Sequence, residues 1–359
     1  MTTPMPDLLL LPRGRQWSLF DRHHPDGAPV HTLSWSSDVP AILTPEGRLF
    51  AATRSGRRLS SAWLDGGRVT AGPTFALPQR WRIHGFAAAG SAVYGGGDGD
   101  GSLLMVCDTR DPEGQWHRVP LSLPHGERKA IDALLVDGDR LYAVDNIIVP
   151  KYVVVLDIRN PTGPVQTDCV ALPSHGTYER IVAAAQDPHR IAVLSTTIGE
   201  IGAAAHVAIY RKPHLHHEGS LSLDYGRSGT VGATTVWGAV GLMQDALVIA
   251  AGQGGVGLVR LRPPAPISPV ANARRVARDD PDPPAFATSR KTDSLFLDDP
   301  VYTGVTAFDG HAIVDLRPLP DGGLGAVVER ATGLHTMPVM IVSGEPPQAA
   351  DGPHSPAPG

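Results

Sequence analysis

Along this chain, short apolar runs alternate with turns that are rich in Gly, Asp and Pro. One phrase recurs six times: an apolar run, a turn, and a second apolar run. Runs of about four to eight residues that are rich in Val, Ile and Leu and bounded by such turns are typical of β-strands. Because no stretch shows a convincing helical periodicity, the pattern predicts an all-β chain. The first apolar residues after the six turns are Leu49, Val93, Leu141, Ile191, Leu247 and Leu324.

The spacing of the phrases indicates a repeat architecture. Successive copies are separated by 44, 48, 50, 56 and 77 residues. A third apolar run follows each phrase, and a weaker, more polar fourth run often follows that. Four strands per unit at a period of about 45 residues is typical of a β-propeller, in which neighbouring sheets cover each other's faces. The sequence therefore predicts a single all-β propeller of six four-stranded blades over residues 1–343.

Two features of the sequence leave open how the ring of blades closes and how many blades it has: the chain ends and the longest spacing. The sixth unit lacks an outer strand of its own, and we expect the N-terminal segment, DLLLLP or RQWSLFD, to supply it and close the ring. The longest spacing contains a Pro- and Asp-rich insertion at about 262–300. In the alternative prediction of seven blades, this insertion hides a degenerate blade. The tail at 344–359 has almost nothing to bury and is predicted to be disordered.

One unit resembles a known repeat family. Residues 153–165, VVVLDIRNPTGPV, resemble the LVIVD repeat, in which an apolar strand is followed by Asp, an apolar residue, Asn-Pro and a later Pro. Asp157, Asn160 and Pro161 occupy those positions, and Asp108 keeps part of the pattern one unit earlier. The resemblance supports a propeller and implies no catalytic residues, because the LVIVD pattern is structural. Asn-Pro after a strand is a turn device.

Composition excludes some classes of partner and location. The apolar fraction is 42% and the formal net charge is -5, which argues against duplex DNA or an anionic membrane as a partner. Cys107 and Cys169 lie in apolar, strand-like runs and are expected to be buried free thiols. The N-terminal apolar run is too short for a signal peptide or a membrane span, so we expect a cytoplasmic protein.

The motifs that suggest chemistry are all incomplete. The run GGGDGDG at 95–101 lacks the Gly and Glu of a calcium loop and the third Gly of a dinucleotide fingerprint. It is predicted to connect the second and third strands of its blade. The run HLHHE at 214–218 is predicted to be an exposed loop, and GRSGT at 226–230 lacks the last Gly of a nucleophile elbow. The sequence therefore predicts no cofactor, no metal site and no catalytic residue.

In a propeller, the loops before each first strand and after each second strand lie on one face, which we call the top face. Such loops position functional residues on a rigid scaffold, so polar residues there are candidates for binding a ligand or a partner. Lysine is rare in this chain, yet two lysines belong to this set. The candidates are Asp98, Asp100, Lys129, Asp132, Asp145, Asn146, Lys151, Tyr178, Glu179, Arg180, Trp237 and His335.

Two functions compete for this face. The leading prediction is a non-catalytic, intracellular scaffold that binds another protein, because every catalytic motif is incomplete. In that case the charged residues form salt bridges between blades. The alternative is an enzyme, a hydrolase, lyase or isomerase, that acts on a small polar or natural-product substrate at the channel mouth. This alternative rests on four charged residues, Lys129, Asp132, Glu179 and Arg180.

Overall fold

The computed structural model describes residues 8–339 apart from a set of omitted positions. All the secondary structure that it describes is β, in 26 strands that form seven sheets. No helix of the length and hydropathy that a membrane crossing requires occurs in these residues. The omitted positions are 14, 22–27, 38, 45, 54, 56, 66–67, 100–102, 112–113, 124–129, 146–150, 174–178, 200–201, 224–238, 244–245, 251–255, 263–300, 304–311, 319–323 and 331–332.

The sheets are antiparallel meanders, which we number in chain order. The first three contain β1 (Leu8–Arg13), β2 (Gln16–Asp21) and β3 (His31–Ser36); β4 (Ala41–Leu43), β5 (Arg48–Ala52), β6 (Arg58–Asp65) and β7 (Arg68–Ala76); and β8 (Arg82–Ala89), β9 (Ala92–Asp98), β10 (Leu104–Asp108) and β11 (Trp116–Arg118). The fourth and fifth contain β12 (Ile131–Asp137), β13 (Arg140–Asp145), β14 (Tyr152–Asp157) and β15 (Val165–Ala171); and β16 (Glu179–Gln186), β17 (Arg190–Gly199), β18 (Gly202–Arg211) and β19 (His216–Leu223). The last two contain β20 (Ala239–Met243), β21 (Ala246–Ala250), β22 (Val256–Arg260) and β23 (Val301–Thr303); and β24 (Ala312–Pro318), β25 (Leu324–Arg330) and β26 (Gly333–Val339).

The six units predicted from the repeat are confirmed as the second to seventh sheets. Each anchor residue of the repeat, from Leu49 to Leu324, lies on the second strand of its sheet. The third strands of the second to sixth sheets overlap the predicted third runs, whereas β26 of the seventh sheet begins four residues before its predicted run at 337–342. The insertion falls between β22 and β23, that is, between the third and fourth strands of the sixth sheet. The all-β, propeller-like fold class is therefore confirmed.

The hydrophobic core lies between consecutive sheets. Trp17 and Leu19 of the first sheet pack with Leu49 and Leu64 of the second. Further buried clusters join the second sheet to the third, the third to the fourth, the fourth to the fifth, the fifth to the sixth, and the sixth to the seventh. No sheet could bury both faces alone, so this stacking explains why the unit has to repeat.

The N-terminal residues differ from the prediction of a single closing strand. They form a three-stranded sheet of their own, β1 to β3, which raises the number of described sheets to seven without using the insertion. Strand β1 lies beside β26, so the first and last strands are neighbours. In the described pairings β1 is hydrogen-bonded to β2, and closure of the ring by strand pairing stays a prediction.

The first strands of consecutive sheets contact each other. This series runs from β1 through β4, β8, β12, β16 and β20 to β24. Because adjacent sheets are in contact along their first strands, these strands line the axis of the propeller-like arrangement. Side chains of the first strands that point away from the buried cores therefore lie near the axis.

Candidate functional site

Four predicted top-face residues with described side chains lie at one end of the third and fourth sheets. Asp98 is the last residue of β9, and Asp132 is the second residue of β12. Asp145 ends β13 opposite Ile131, and Lys151 immediately precedes β14. The register of the strands therefore brings these four residues to the same edge of two neighbouring sheets.

The other eight candidates cannot be assessed from the described residues. Three of them lie on described strands, but their side chains are outside the description: Glu179, Arg180 and His335. Five lie outside the described residues altogether: Asp100, Lys129, Asn146, Tyr178 and Trp237. The binding roles of all eight stay predictions.

The structure adds a histidine between two of the predicted aspartates. His84 Nδ1 lies 2.6 Å from Asp132 Oδ1, and His84 Nε2 lies 3.3 Å from Asp98 Oδ1. The side chains of His84, Asp98 and Asp132 are 32%, 42% and 25% exposed, so solvent reaches all three. We call these residues the His84 trio. It joins the first strand of the third sheet to the first strand of the fourth.

Two β-bulges position the trio. In the pairing of β8 with β9 the register shifts between Ile83 and Gly85, so His84 is the extra residue. In the pairing of β12 with β13 it shifts between Ile131 and Ala133, so Asp132 is the extra residue. A bulge bends its strand and re-aims a side chain, and bulges are over-represented beside active sites. The two bulged residues, one from each sheet, meet in the 2.6 Å contact.

Glycines allow the two sheets to approach closely at this point. A Cβ on Gly85 would overlap the backbone oxygen of Asp132. A Cβ on Gly96 would lie 2.6 Å from Ile131 Cγ2 and 2.8 Å from the Ile131 backbone oxygen, both too close for a real side chain. Glycine within a strand often marks such a close approach of another backbone. The contact between His84 and Asp132 therefore depends on these two positions having no side chain.

The run GGGDGDG differs from its predicted role as a connecting loop. Gly95, Gly96, Gly97 and Asp98 belong to strand β9, which pairs with both β8 and β10. Gly99, with φ +116, directly follows the strand, and the last two residues of the run lie outside the described residues. The glycines are therefore a packing feature of the strand, which sequence reasoning mistook for the signature of a tight turn.

Asp145 and Lys151 lie at the predicted end of the fourth sheet but are buried. Asp145 is 0% exposed and Lys151 is 2% exposed. Burial keeps them from lining the solvent-facing mouth. Desolvation, together with the charges of Cys169 and Asp145, raises the pKa of the neighbouring Tyr152. A role for Asp145 and Lys151 in binding stays a prediction. Their buried positions do not support direct contact with a ligand.

The geometry of the trio gives the two nitrogens of His84 different tasks. The short contact to Asp132 matches a strong hydrogen bond in which Nδ1–H donates to the carboxylate. That bond fixes the orientation of the ring and leaves Nε2 as the nitrogen that faces outward to Asp98. Both nitrogens donate at once only when the imidazole carries two protons. Among the described residues, no group of three or more His, Cys, Asp or Glu side chains is arranged to hold a metal ion.

The sequence contained a signal for His84 that the analysis of motifs missed. Four first strands contain an isoleucine directly before the bulged residue: Ile83, Ile131, Ile181 and Ile313. In three of them the residue directly after the bulge is Gly or Ala. Aligning the three units that share this Ile-x-small pattern places His84 and Asp132 at equivalent positions.

Ion pairs and hydrogen bonds between sheets occur at the opposite end. Lys212 Nζ lies 2.8 Å from Asp137 Oδ2, which links the fifth sheet to the fourth. Arg190, 1% exposed, contacts Glu218 at 2.7 Å within its sheet and donates to the backbone oxygen of Arg262 beyond β22. These contacts link neighbouring sheets at the end opposite the predicted top face, and none of the predicted top-face residues takes part in them.

The aspartates of the LVIVD-like pattern have a local structural task. Asp108 Oδ1 accepts the backbone N–H of Arg110, and Asp157 Oδ1 accepts that of Arg159, each two residues further on. The arginine side chains also contact these carboxylates. Hydrogen bonding by Arg110 lowers the pKa of Asp108 to about 2, and Arg159 lowers the pKa of Asp157 in the same way. These residues shape the turn after the third strand and lie outside the trio.

Comparison with known proteins identifies the fold. No family model matches the chain, and no curated protein matches it in sequence. The LVIVD resemblance therefore rests on the residues of one unit. The crystal structure of a candidate 6-phosphogluconolactonase from Bacteroides uniformis ATCC 8492 is similar to this chain with a TM-score of 0.53 and 12% identity, covering 92% of this chain and 95% of the other.

Two further structures agree with this result. A candidate 6-phosphogluconolactonase from Bacteroides fragilis NCTC 9343 has a TM-score of 0.50 and 11% identity, over 94% of this chain and 95% of the other. A chain of the mitotic checkpoint complex has a TM-score of 0.52 and 10% identity, over 94% of this chain and 93% of the other. At such identities the likeness shows the fold alone, because one fold hosts many functions.

Proposed function

We propose that this propeller is an enzyme for a small polar substrate, in which His84 transfers a proton at the top of the axis. The observation that carries the proposal is the solvent-accessible imidazole held by Asp132 at Nδ1. An imidazole that is oriented by a carboxylate at one nitrogen serves as a general base or acid at the other.

The unequal distances support Nε2 as the working nitrogen. At 3.3 Å the contact to Asp98 is longer than a strong hydrogen bond, and Asp98 is the most exposed member of the trio. A substrate or water molecule can therefore take the place of Asp98 at Nε2 while Asp132 keeps the ring in position. Asp98 then lies beside the reacting group, where its carboxylate can accept a hydrogen bond.

Hydrolysis of an ester or lactone is the reaction that this arrangement serves most simply. Nε2 takes a proton from water as the water oxygen bonds to the carbonyl carbon. The same proton then passes from Nε2 to the leaving oxygen as the bond between carbon and that oxygen breaks. His84 therefore both accepts and returns the proton, and Asp132 stabilises the protonated ring between the two steps.

The experiment measures turnover of p-nitrophenyl acetate, p-nitrophenyl butyrate and γ-butyrolactone by the full chain. We expect His84→Asn to lower kcat/KM about a hundredfold or more, the usual contribution of a general base. Asp132→Asn should lower kcat with little effect on KM, since Asp132 acts through His84. The matched control is His117→Asn, an exposed histidine on the outer strand β11, which should keep full activity. Absence of turnover with all three probes, or full activity of His84→Asn, would refute the proposal.

The non-catalytic scaffold remains the competing prediction, and no surface feature of the described residues favours it. A protein partner usually needs a contiguous apolar patch, whereas single exposed apolar side chains are normal. The exposed large apolar residues are scattered: Trp63, Val165 and Val182 lie on three different sheets, and Val30 directly precedes β3.

A further inference from the structure

The bulge that presents His84 recurs around the axis. The same register shift occurs in the first strands of the third, fourth, fifth and seventh sheets. Each shift leaves one extra residue directly after an isoleucine, so the four positions are equivalent in their units. The extra residues are His84, Asp132, Val182 and Val314.

Val182 is much more exposed than the residue directly before it. Its neighbour Ile181 is 5% exposed and belongs to the core between the fourth and fifth sheets. Val182 is 37% exposed, although valine at a first strand would ordinarily be buried against an adjacent sheet. The bulge accounts for the exposure, because it turns the extra residue out of the core.

The order of the sheets puts this apolar position on the strand next to the one that carries Asp132. Strand β12, which carries Asp132, contacts β16, which carries Val182, just as β8 contacts β12. His84 and Asp132, the bulged residues of β8 and β12, touch each other. Val182 holds the next equivalent position in this series of strands, on the other side of Asp132 from His84.

From this arrangement we infer that the ligand of the site is amphipathic, with a polar carbonyl group at His84 and an alkyl or other apolar group at Val182. The inference rests on the proposed function for the position of the polar group, and it adds the class of substrate. Val182 is then a specificity-determining residue. Each methylene that leaves water strengthens binding about fourfold, so even partial cover by Val182 discriminates between short and long chains.

The test uses two amides that bind without needing turnover, acetamide and hexanamide. Binding to the full chain is followed by the NMR signal of the His84 ring, assigned by its loss in His84→Asn. We expect hexanamide to bind at least tenfold more tightly than acetamide. Val182→Thr keeps the shape of the side chain and replaces a methyl group by a hydroxyl. It should weaken hexanamide about fivefold and leave acetamide unchanged.

Val165→Thr is the matched control, because Val165 is a 63% exposed valine on the outer strand β15, far along its sheet from the first strand. It should change neither affinity. The inference would be overturned if the two amides bound equally well or if neither bound. It would also be overturned if the Val182→Thr variant bound hexanamide as tightly as the unsubstituted protein does. Failure of the proposed function is read separately, as absence of turnover in the unsubstituted protein or undiminished turnover in His84→Asn, so the two results are distinguishable.

Discussion

Gly96→Ala tests whether the close approach of the third and fourth sheets creates the His84 trio. The new Cβ would lie 2.6 Å from Ile131 Cγ2 and 2.8 Å from the Ile131 backbone oxygen. Ordinary contact begins at about 3.4 Å, so the two sheets must separate by about 0.7 Å. Asp132 follows Ile131 in the chain and would move with it. The bond between His84 Nδ1 and Asp132 Oδ1, now 2.6 Å, would lengthen to about 3.3 Å and weaken.

The substitution should also cost stability, because forcing one extra methyl group into a packed site typically costs about 1–3 kcal/mol. We expect the free energy of unfolding to fall by about 2 kcal/mol, seen in urea titration as a lower midpoint with an unchanged slope. The NMR signal of the His84 ring should shift at the same time, and turnover should fall with it.

The matched control is Gly90→Ala in the turn after β8. No atom lies within 4 Å of a Cβ at Gly90, although its φ of +56 disfavours any side chain. Gly90→Ala should therefore lose about 1 kcal/mol from backbone strain and leave the His84 signal unchanged. A Gly96→Ala protein with wild-type stability and an unshifted His84 signal would refute the reasoning, since the sheets would then be free to accept a side chain at their contact.

Three further substitutions or measurements test other parts of the fold. Arg110 lowers the pKa of Asp108 to about 2, so this carboxylate stabilises the fold above about pH 4 and loses that effect as the pH falls toward 2; Asp108→Asn should make acid unfolding less steep in that range. Burial raises the pKa of Cys107 to about 12, so Ellman's reagent at pH 8 should leave Cys107 unmodified in the native protein and label it in urea, as peptide mass spectrometry will show. Arg190→Met should lower the free energy of unfolding by roughly 3 kcal/mol, because Glu218 keeps its charge at 14% exposure; a change below about 1 kcal/mol in urea titration would contradict this.

Much of the fold was predictable because recurring turn residues mark where the strands of each repeat begin. Leu49, Leu141 and Ile191 follow turns that contain Gly, Asp or Pro, and each begins an apolar run that is buried between sheets. The N-terminal sheet was less accessible to such reasoning. Strand β3 has only Leu33 fully buried, so its apolar pattern is too weak to distinguish a strand from a loop. The prediction therefore assigned one strand where the chain forms three.

Two of the three residues of the His84 trio could be predicted from the sequence. Asp98 and Asp132 were predicted at the top face because they flank apolar strands at the same end of their units. His84 was not predicted there. The regular two-residue alternation of side chains along a strand gives no reason for a histidine in β8 to point away from its expected side of the sheet. A bulge adds one residue and interrupts that alternation. The pairing of β8 with β9 shows where the interruption falls, directly after Ile83.

The glycines explain why the remaining part of the site escaped prediction. Read as a local signal, three consecutive glycines indicate a turn, because glycine adopts conformations that other residues avoid. In β9 they answer a requirement of the tertiary structure: Gly96 faces Ile131 of the next sheet, across a gap that no side chain fits. That requirement depends on a residue 35 positions further along the chain, which local pattern reasoning does not see. The same contact brings Asp132 to His84, so the glycine run and the histidine site have one physical cause.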